Sequence, residues 1–227
     1  KEEREIQYQE YLKSMNRMES YDEFKGKVYA NLVAYKEENI TRECGHYKGV
    51  EYREFLPESY WENELPSMLY PGIIATVSDI QKSIYKYKPH IFANKHVASS
   101  QTACVNLFVP ILESPEVDQI LMSLEACPKD FKHVAKDQLY HGYRFEFWDS
   151  TDEKSKGLLG DHSKQAGTDS DVAIAYYNTK DELCLWLIEH KLTEQEFTTC
   201  GAYKSKGNNE EGKDHCRKCS IVEILDN

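Results

Sequence analysis

One stretch restricts the fold more than any other. Asp171-Val172-Ala173-Ile174-Ala175-Tyr176-Tyr177 is followed by polar Asn178-Thr179-Lys180-Asp181, then by Glu182-Leu183-Cys184-Leu185-Trp186-Leu187-Ile188-Glu189. Two apolar, strand-prone runs on either side of turn residues predict a β-hairpin. A hairpin brings its two outer ends together, so Asp171 at the mouth of the first strand meets Glu189, His190 and Lys191 at the end of the second. Side chains alternate along a strand, which puts Glu189 and Lys191 on one face and His190 on the other.

Two carboxylates and an ammonium gathered in this way suit phosphodiester hydrolysis. Hard oxygen ligands hold Mg2+ or Mn2+, and such an ion offsets charge on a phosphate in its transition state and lowers the pKa of water. Asp171 and Glu189 are the expected ligands, with the backbone carbonyl of His190 as a third oxygen. Lys191 is expected to orient the attacking water or help deprotonate it, and to offset negative charge. The bland alternative is a hairpin whose polar ends simply meet water.

These residues resemble the core motif of the PD-(D/E)XK nuclease superfamily, an Asp on one strand and Glu-X-Lys at the end of the next. The likeness runs from Gly167-Thr168-Asp169-Ser170-Asp171 through Leu187-Ile188-Glu189-His190-Lys191-Leu192-Thr193-Glu194. It is similar in particular to a prokaryotic subgroup with an upstream Ser-Ser-Gln, here Ser99-Ser100-Gln101, and an acidic strand residue, here Glu146. Ser170 stands where the Pro of the superfamily's name would be. Asp169 lies two positions before Asp171 and shares its face; Asp171 is preferred because the apolar strand starts directly after it. The resemblance implies an accessory group as well, from Gln101, Glu113 or Glu146. It implies a restriction-endonuclease-like α/β fold, a central mixed β-sheet flanked by helices, and DNA rather than RNA as substrate.

A second constellation lies near the end of the chain. Cys216 and Cys219 are spaced as the thiolates of a tetrahedral metal site, with Cys200 across a polar loop and His215 or Cys44, beside His46, as further ligands. A structural Zn2+ or an iron–sulfur cluster is expected, against a reading as free thiols.

Along the rest of the chain, apolar residues at helical spacing predict two helices over residues 1–40 and another over Ile73–Lys88. Mixed signals fill Cys44–Pro71. A buried helix is predicted to end at Pro110, a further helix covers Val117–Ala126, and a loop leads to a half-buried strand over Tyr143–Trp148. Ser150–Thr168 reads as a loop. The expected organisation is a mainly helical N-terminal region over 1–90, a nuclease core over 91–200 and a cysteine-bearing loop over 201–227.

Composition narrows the rest. With 227 residues, 40% of them hydrophobic, the chain can bury a sizeable core. Its net charge of −11 argues against a protein that coats nucleic acid non-specifically, since phosphate neutralisation needs a surplus of Lys and Arg. No run approaches the ~18 apolar residues that span a bilayer, so no membrane association and a cytoplasmic location are expected. The sequence leaves oligomeric state unassigned. Two rival readings are a catalytically silent nucleic-acid-binding or regulatory protein on the same fold, and a structural domain whose one genuine site is the cysteine cluster.

Overall fold

The computed structural model describes residues 2–18, 23–62, 65–84, 95–147 and 170–192. These belong to a unit formed by 1–147 with 170–193; a second unit, 148–169 with 194–227, lies outside the described residues. The loop expected over Ser150–Thr168 and the cysteine-bearing segment therefore fall there.

Two helices open the chain as their spacing predicts, α1 (Glu2–Ser14) and α2 (Glu23–Asn39). Tyr8 and Leu12 of α1 meet Ala30 and Val33 of α2 in a small core that also takes in Val97. Glu54 is 1% exposed beneath α1, where it accepts hydrogen bonds from the Tyr8 and Tyr11 hydroxyls (2.9 and 2.8 Å) and from Arg17 (3.1 Å). A buried carboxylate without such partners would cost several kcal/mol. On α2, buried Lys36 donates to the main-chain carbonyls of Glu43 (2.6 Å) and Arg53 (3.0 Å). Next along the chain come two short antiparallel strand pairs, β1 (Gly45–Tyr47) with β2 (Val50–Tyr52) and β3 (Trp61–Glu62) with β4 (Leu65–Pro66).

The larger core is built by α3 (Ile74–Ile84), α4 (Ser100–Leu112) and α5 (Val117–Met122) against a four-stranded sheet. Ser99 caps α4, its Oγ accepting from the Thr102 N–H at 3.1 Å, a contact worth about 1 kcal/mol. Cys104, Val105, Phe108, Val109 and Leu112 then give α4 its buried face. Pro110 does not end this helix as expected. It stands exposed in the last turn, where one missing N–H leaves the helix to continue through the bond from Glu113 N to Val109 O. α5 stops four residues short of the expected Ala126.

The sheet comprises β5 (Phe131–Val134), β6 (Tyr143–Phe147), β7 (Ser170–Asn178) and β8 (Leu183–Ile188). β7 is its centre. Val172 through Tyr176 are all buried, as befits a strand covered on both faces, whose sequence reads as a continuous apolar run. β8 lies along one edge of β7, and β5 and β6 lie end to end along the other: β6 pairs with residues 170–174 and β5 with 176–178. Between them the Ala175 N–H donates to Gly142 O at 2.7 Å and the Ala135 N–H to Ala175 O at 2.9 Å.

Two expectations are corrected here. β5 occupies what was read as a loop. The strand pairs among the described residues are all antiparallel, so the central sheet is not mixed; the four-residue turn joining β7 to β8 permits no other direction for that pair. The result is an α/β chain of helices and antiparallel sheets.

The hairpin turn rests on Asn178. Its side-chain oxygen accepts from the N–H groups of Lys180 and Glu182, both at 2.9 Å, its amide donates to Glu182 at 2.8 Å, and its own N–H reaches Glu182 O at 3.0 Å. With the turn closed this way, Val172 falls opposite Ile188 and Tyr177 opposite Leu183. No helix among the described residues is long and apolar enough to cross a membrane.

Candidate functional site

The register that pairs Val172 with Ile188 sets Asp171 beside the chain leaving β8. There the His190 N–H donates to Asp171 Oδ2 at 2.7 Å. Ser170 completes the junction, its hydroxyl proton shared between Val172 O at 2.9 Å and Ile188 O at 3.1 Å. Sequence reasoning treated Ser170 as a departure from a motif; its hydroxyl ties the two strand ends together.

Glu189 and Lys191 form an ion pair at the same end, with side chains 33% and 34% exposed. That exposure leaves both reachable by a ligand. The His190 ring turns the other way, edge-on to Phe108 of α4 with centroids 6.5 Å apart, as alternation predicts. Its Nδ1 is buried without a hydrogen-bond partner.

From the helix side, Gln101 donates to Glu146 Oε1 of β6 at 2.9 Å. One turn further along α4, the buried Cys104 thiol is pushed well above its usual range, by burial first and then by the charges of Asp171, Glu146 and Glu189. Cys104 lies on the buried face of α4, and no feature of its local sequence marks it as near these carboxylates. The Asp171 carboxyl is itself raised, chiefly by burial and also by Glu189, while the His190 N–H and Lys191 oppose the shift.

The other expected participants are placed elsewhere. Glu113 caps the far end of α4, accepting from the Tyr143 hydroxyl at 2.6 Å with His141 Nδ1 at 3.3 Å. Twelve residues of helix separate it from Gln101, about 18 Å, so the two do not share a site. Asp169, Cys200, His215, Cys216 and Cys219 lie outside the described residues. Cys44, partly buried, lines a separate cleft with Glu43, His46, Glu51 and Lys95.

Among the described residues, no three His, Cys, Asp or Glu side chains converge as a closed metal shell. The donors expected at the hairpin mouth, the Asp171 and Glu189 carboxylates and the His190 main-chain carbonyl, are all hard oxygens. Mg2+ is commonly bound by one or two carboxylates with water filling its other positions, so these residues fit a magnesium-type ion by chemistry and number.

Comparison with curated proteins and with solved structures finds no match. A family model described as "Restriction Endonuclease associating with ARP" matches residues 8–222, nearly the whole chain, and the chain belongs to that family.

Proposed function

We propose, as the activity of a member of this restriction endonuclease family, metal-dependent hydrolysis of phosphodiester bonds in DNA by a centre of the PD-(D/E)XK type. The observation that carries the reading is the hydrogen bond from His190 N–H to Asp171, which joins the ends of β7 and β8 where Glu189 and Lys191 also stand.

Asp171, Glu189 and the His190 carbonyl would hold Mg2+ or Mn2+, and the bound ion would supply charge for the phosphate in its transition state and a more acidic water. The chain's own groups do the rest. Lys191 is the one cation of the set, and its reach to Glu189 puts its ammonium beside the carboxylates, where it binds a phosphate oxygen and orients the water that attacks phosphorus. Attack forms a new P–O bond, breaks the ester P–O bond and leaves a phosphomonoester and a hydroxyl end. The His190 N–H keeps the Asp171 carboxylate from rotating away, and Ser170 ties the strand ends beside it. A positioned charge of this sort is worth more where burial has already removed water, and Asp171 is partly buried.

The family's description adds association with ARP, which we carry over as the partner of this chain. The test is direct. Supercoiled and linear DNA are incubated with the full chain and Mg2+ or Mn2+, alongside Asp171→Ala and Lys191→Ala. Cutting by wild type, abolished by chelation and in both variants, is the expected result; equal behaviour of all three proteins overturns the reading.

A further inference from the structure

His96 stands where the small core meets the large one. Residues 95–99 run antiparallel to 54–56, bridging at Phe55 and His96, with the Leu56 N–H donating to Lys95 O and the Val97 N–H to Glu54 O, both at 2.8 Å. Val97 packs among Tyr8, Leu12, Ala30 and Val33, and two residues further on Ser99 caps α4, whose buried face belongs to the main core. Five residues therefore couple α1 and α2 to α4.

Within this tie the His96 ring is an acceptor. Its Nδ1 takes the Ala98 N–H at 3.0 Å, and a main-chain N–H can only donate, so the ring is neutral and carries its one proton on Nε2. The ring is partly buried, with Phe55 edge-on at 4.8 Å and Tyr29 of α2 at 5.2 Å between centroids. Burial first, and then the cations of Lys25 and Arg17, hold the imidazole below its ordinary range against the pull of Glu54, the other charged group facing it among the described residues. Glu54 has its own donors in Tyr8, Tyr11 and Arg17. A proton arriving at Nδ1 would turn the acceptor into a donor aimed at another donor, and would bring charge into an aromatic cage beside two cations.

We propose that His96 is a pH-sensitive latch: neutral, it holds residues 95–99 against 54–56 and α2; protonated, it releases them and uncouples α1 and α2 from the start of α4. The ring takes up a proton less readily latched than released. The latch is thus fully engaged above about pH 6.5, the value of an unburied imidazole, and gives way as pH falls through the lower value of the latched state. Between those limits the released fraction grows by up to about 10-fold per pH unit.

The test is amide hydrogen exchange on the full chain between about pH 7.5 and pH 5, with rates corrected for the intrinsic pH dependence of exchange. Protection at Leu56, Val97, Ala98 and Ser99 is expected to fall about 10-fold toward the acid end, while residues 172–176 of β7 keep theirs. His96→Asn keeps an acceptor oxygen near the place of Nδ1 and cannot titrate, so its protection is expected to stay level with pH. His96→Phe fills the cage but offers no acceptor, and its 95–99 segment should exchange fast at both limits. Wild-type protection that does not change across the window, or that falls equally in His96→Asn, overturns the proposal. A measurement on the wild type alone keeps the result independent of how the variants fold. Its His96 ring is titrated by nuclear magnetic resonance, and a midpoint below about 6.5 that coincides with the loss of amide protection is expected. A midpoint at or above that value overturns the proposal.

Discussion

The main-chain N–H of His190 and the carboxylate of Asp171, nineteen positions apart, are joined by a hydrogen bond of 2.7 Å that closes the open end of the β7–β8 hairpin. A partly buried carboxylate sits where structure needs an acceptor and chemistry needs a charge. The two demands differ in what they require of its ionisation.

That difference predicts the behaviour of Asp171→Asn. Burial raises the folded-state pKa of Asp171 above its unfolded value, so its contribution to stability is fully present below the unfolded pKa and is lost as pH rises through the folded one. At neutral pH the ionised group therefore costs stability. Asn keeps an acceptor for His190 and bears no charge, so the variant should unfold at a higher temperature than wild type at pH 7 with chelator present, and should not cut DNA. A lower unfolding temperature would show that the hydrogen bond to the charged form outweighs desolvation.

Lys191→Met should divide activity from stability in another way. The pair with Glu189 is a third exposed, and such pairs contribute about 1 kcal/mol or less. Positioned acid–base groups commonly contribute 10²–10⁴-fold to rate. Denaturant midpoints close to wild type, with cleavage down roughly 100-fold or more, are expected from equilibrium unfolding and a plasmid-nicking time course.

Asn178→Ala tests the opposite end of the hairpin. The substitution removes the acceptor of the Lys180 and Glu182 N–H groups together, and each such hydrogen bond is worth about 1 kcal/mol net. A loss of roughly 2 kcal/mol, or about 4–8 °C in unfolding temperature, is expected. An unchanged midpoint would mean that the turn is set by chain length alone.

Alkaline pH should loosen the α1 region. Tyr11 is raised to about 12, chiefly by burial and by the charge of Glu54, and Tyr8 is raised further for the same reasons. Both phenols are neutral donors in the folded chain, so their contribution is intact below pH 10 and is lost as pH climbs toward 12. Thermal unfolding between pH 9 and 11 should fall by several degrees, and less steeply in Tyr11→Phe, which starts lower.

The hairpin was legible because its information is local: two apolar runs, turn residues, and polar groups at both outer ends. The helices of the first 40 residues were legible for the same reason. β5 was not, since Phe131-Lys132-His133-Val134 is four residues long and gains strand character only by meeting β7 more than forty positions away. Pro110 misled because a helix breaker loses its force in a last turn, where few bonds remain to be broken. Tyr143-Arg144-Phe145-Glu146-Phe147 reads as a regular strand, and its alternating pattern hides the left-handed backbone at Glu146, whose φ is +47°. The bond that Glu146 accepts from Gln101 spans 45 positions, beyond the reach of any sequence window.

The end-to-end arrangement of β5 and β6 along β7 bears on how the site keeps its alignment. Sliding β7 by one residue against β8 would put Val172 where Asp171 belongs and turn every side chain to the wrong face. To slip, β7 would have to break step with two separate strands on its other edge, each entering from its own turn. The alignment of Asp171 with the chain after Ile188 is thus checked twice, like a key cut against two wards. A lesion at either short strand should weaken the lock without letting the key turn.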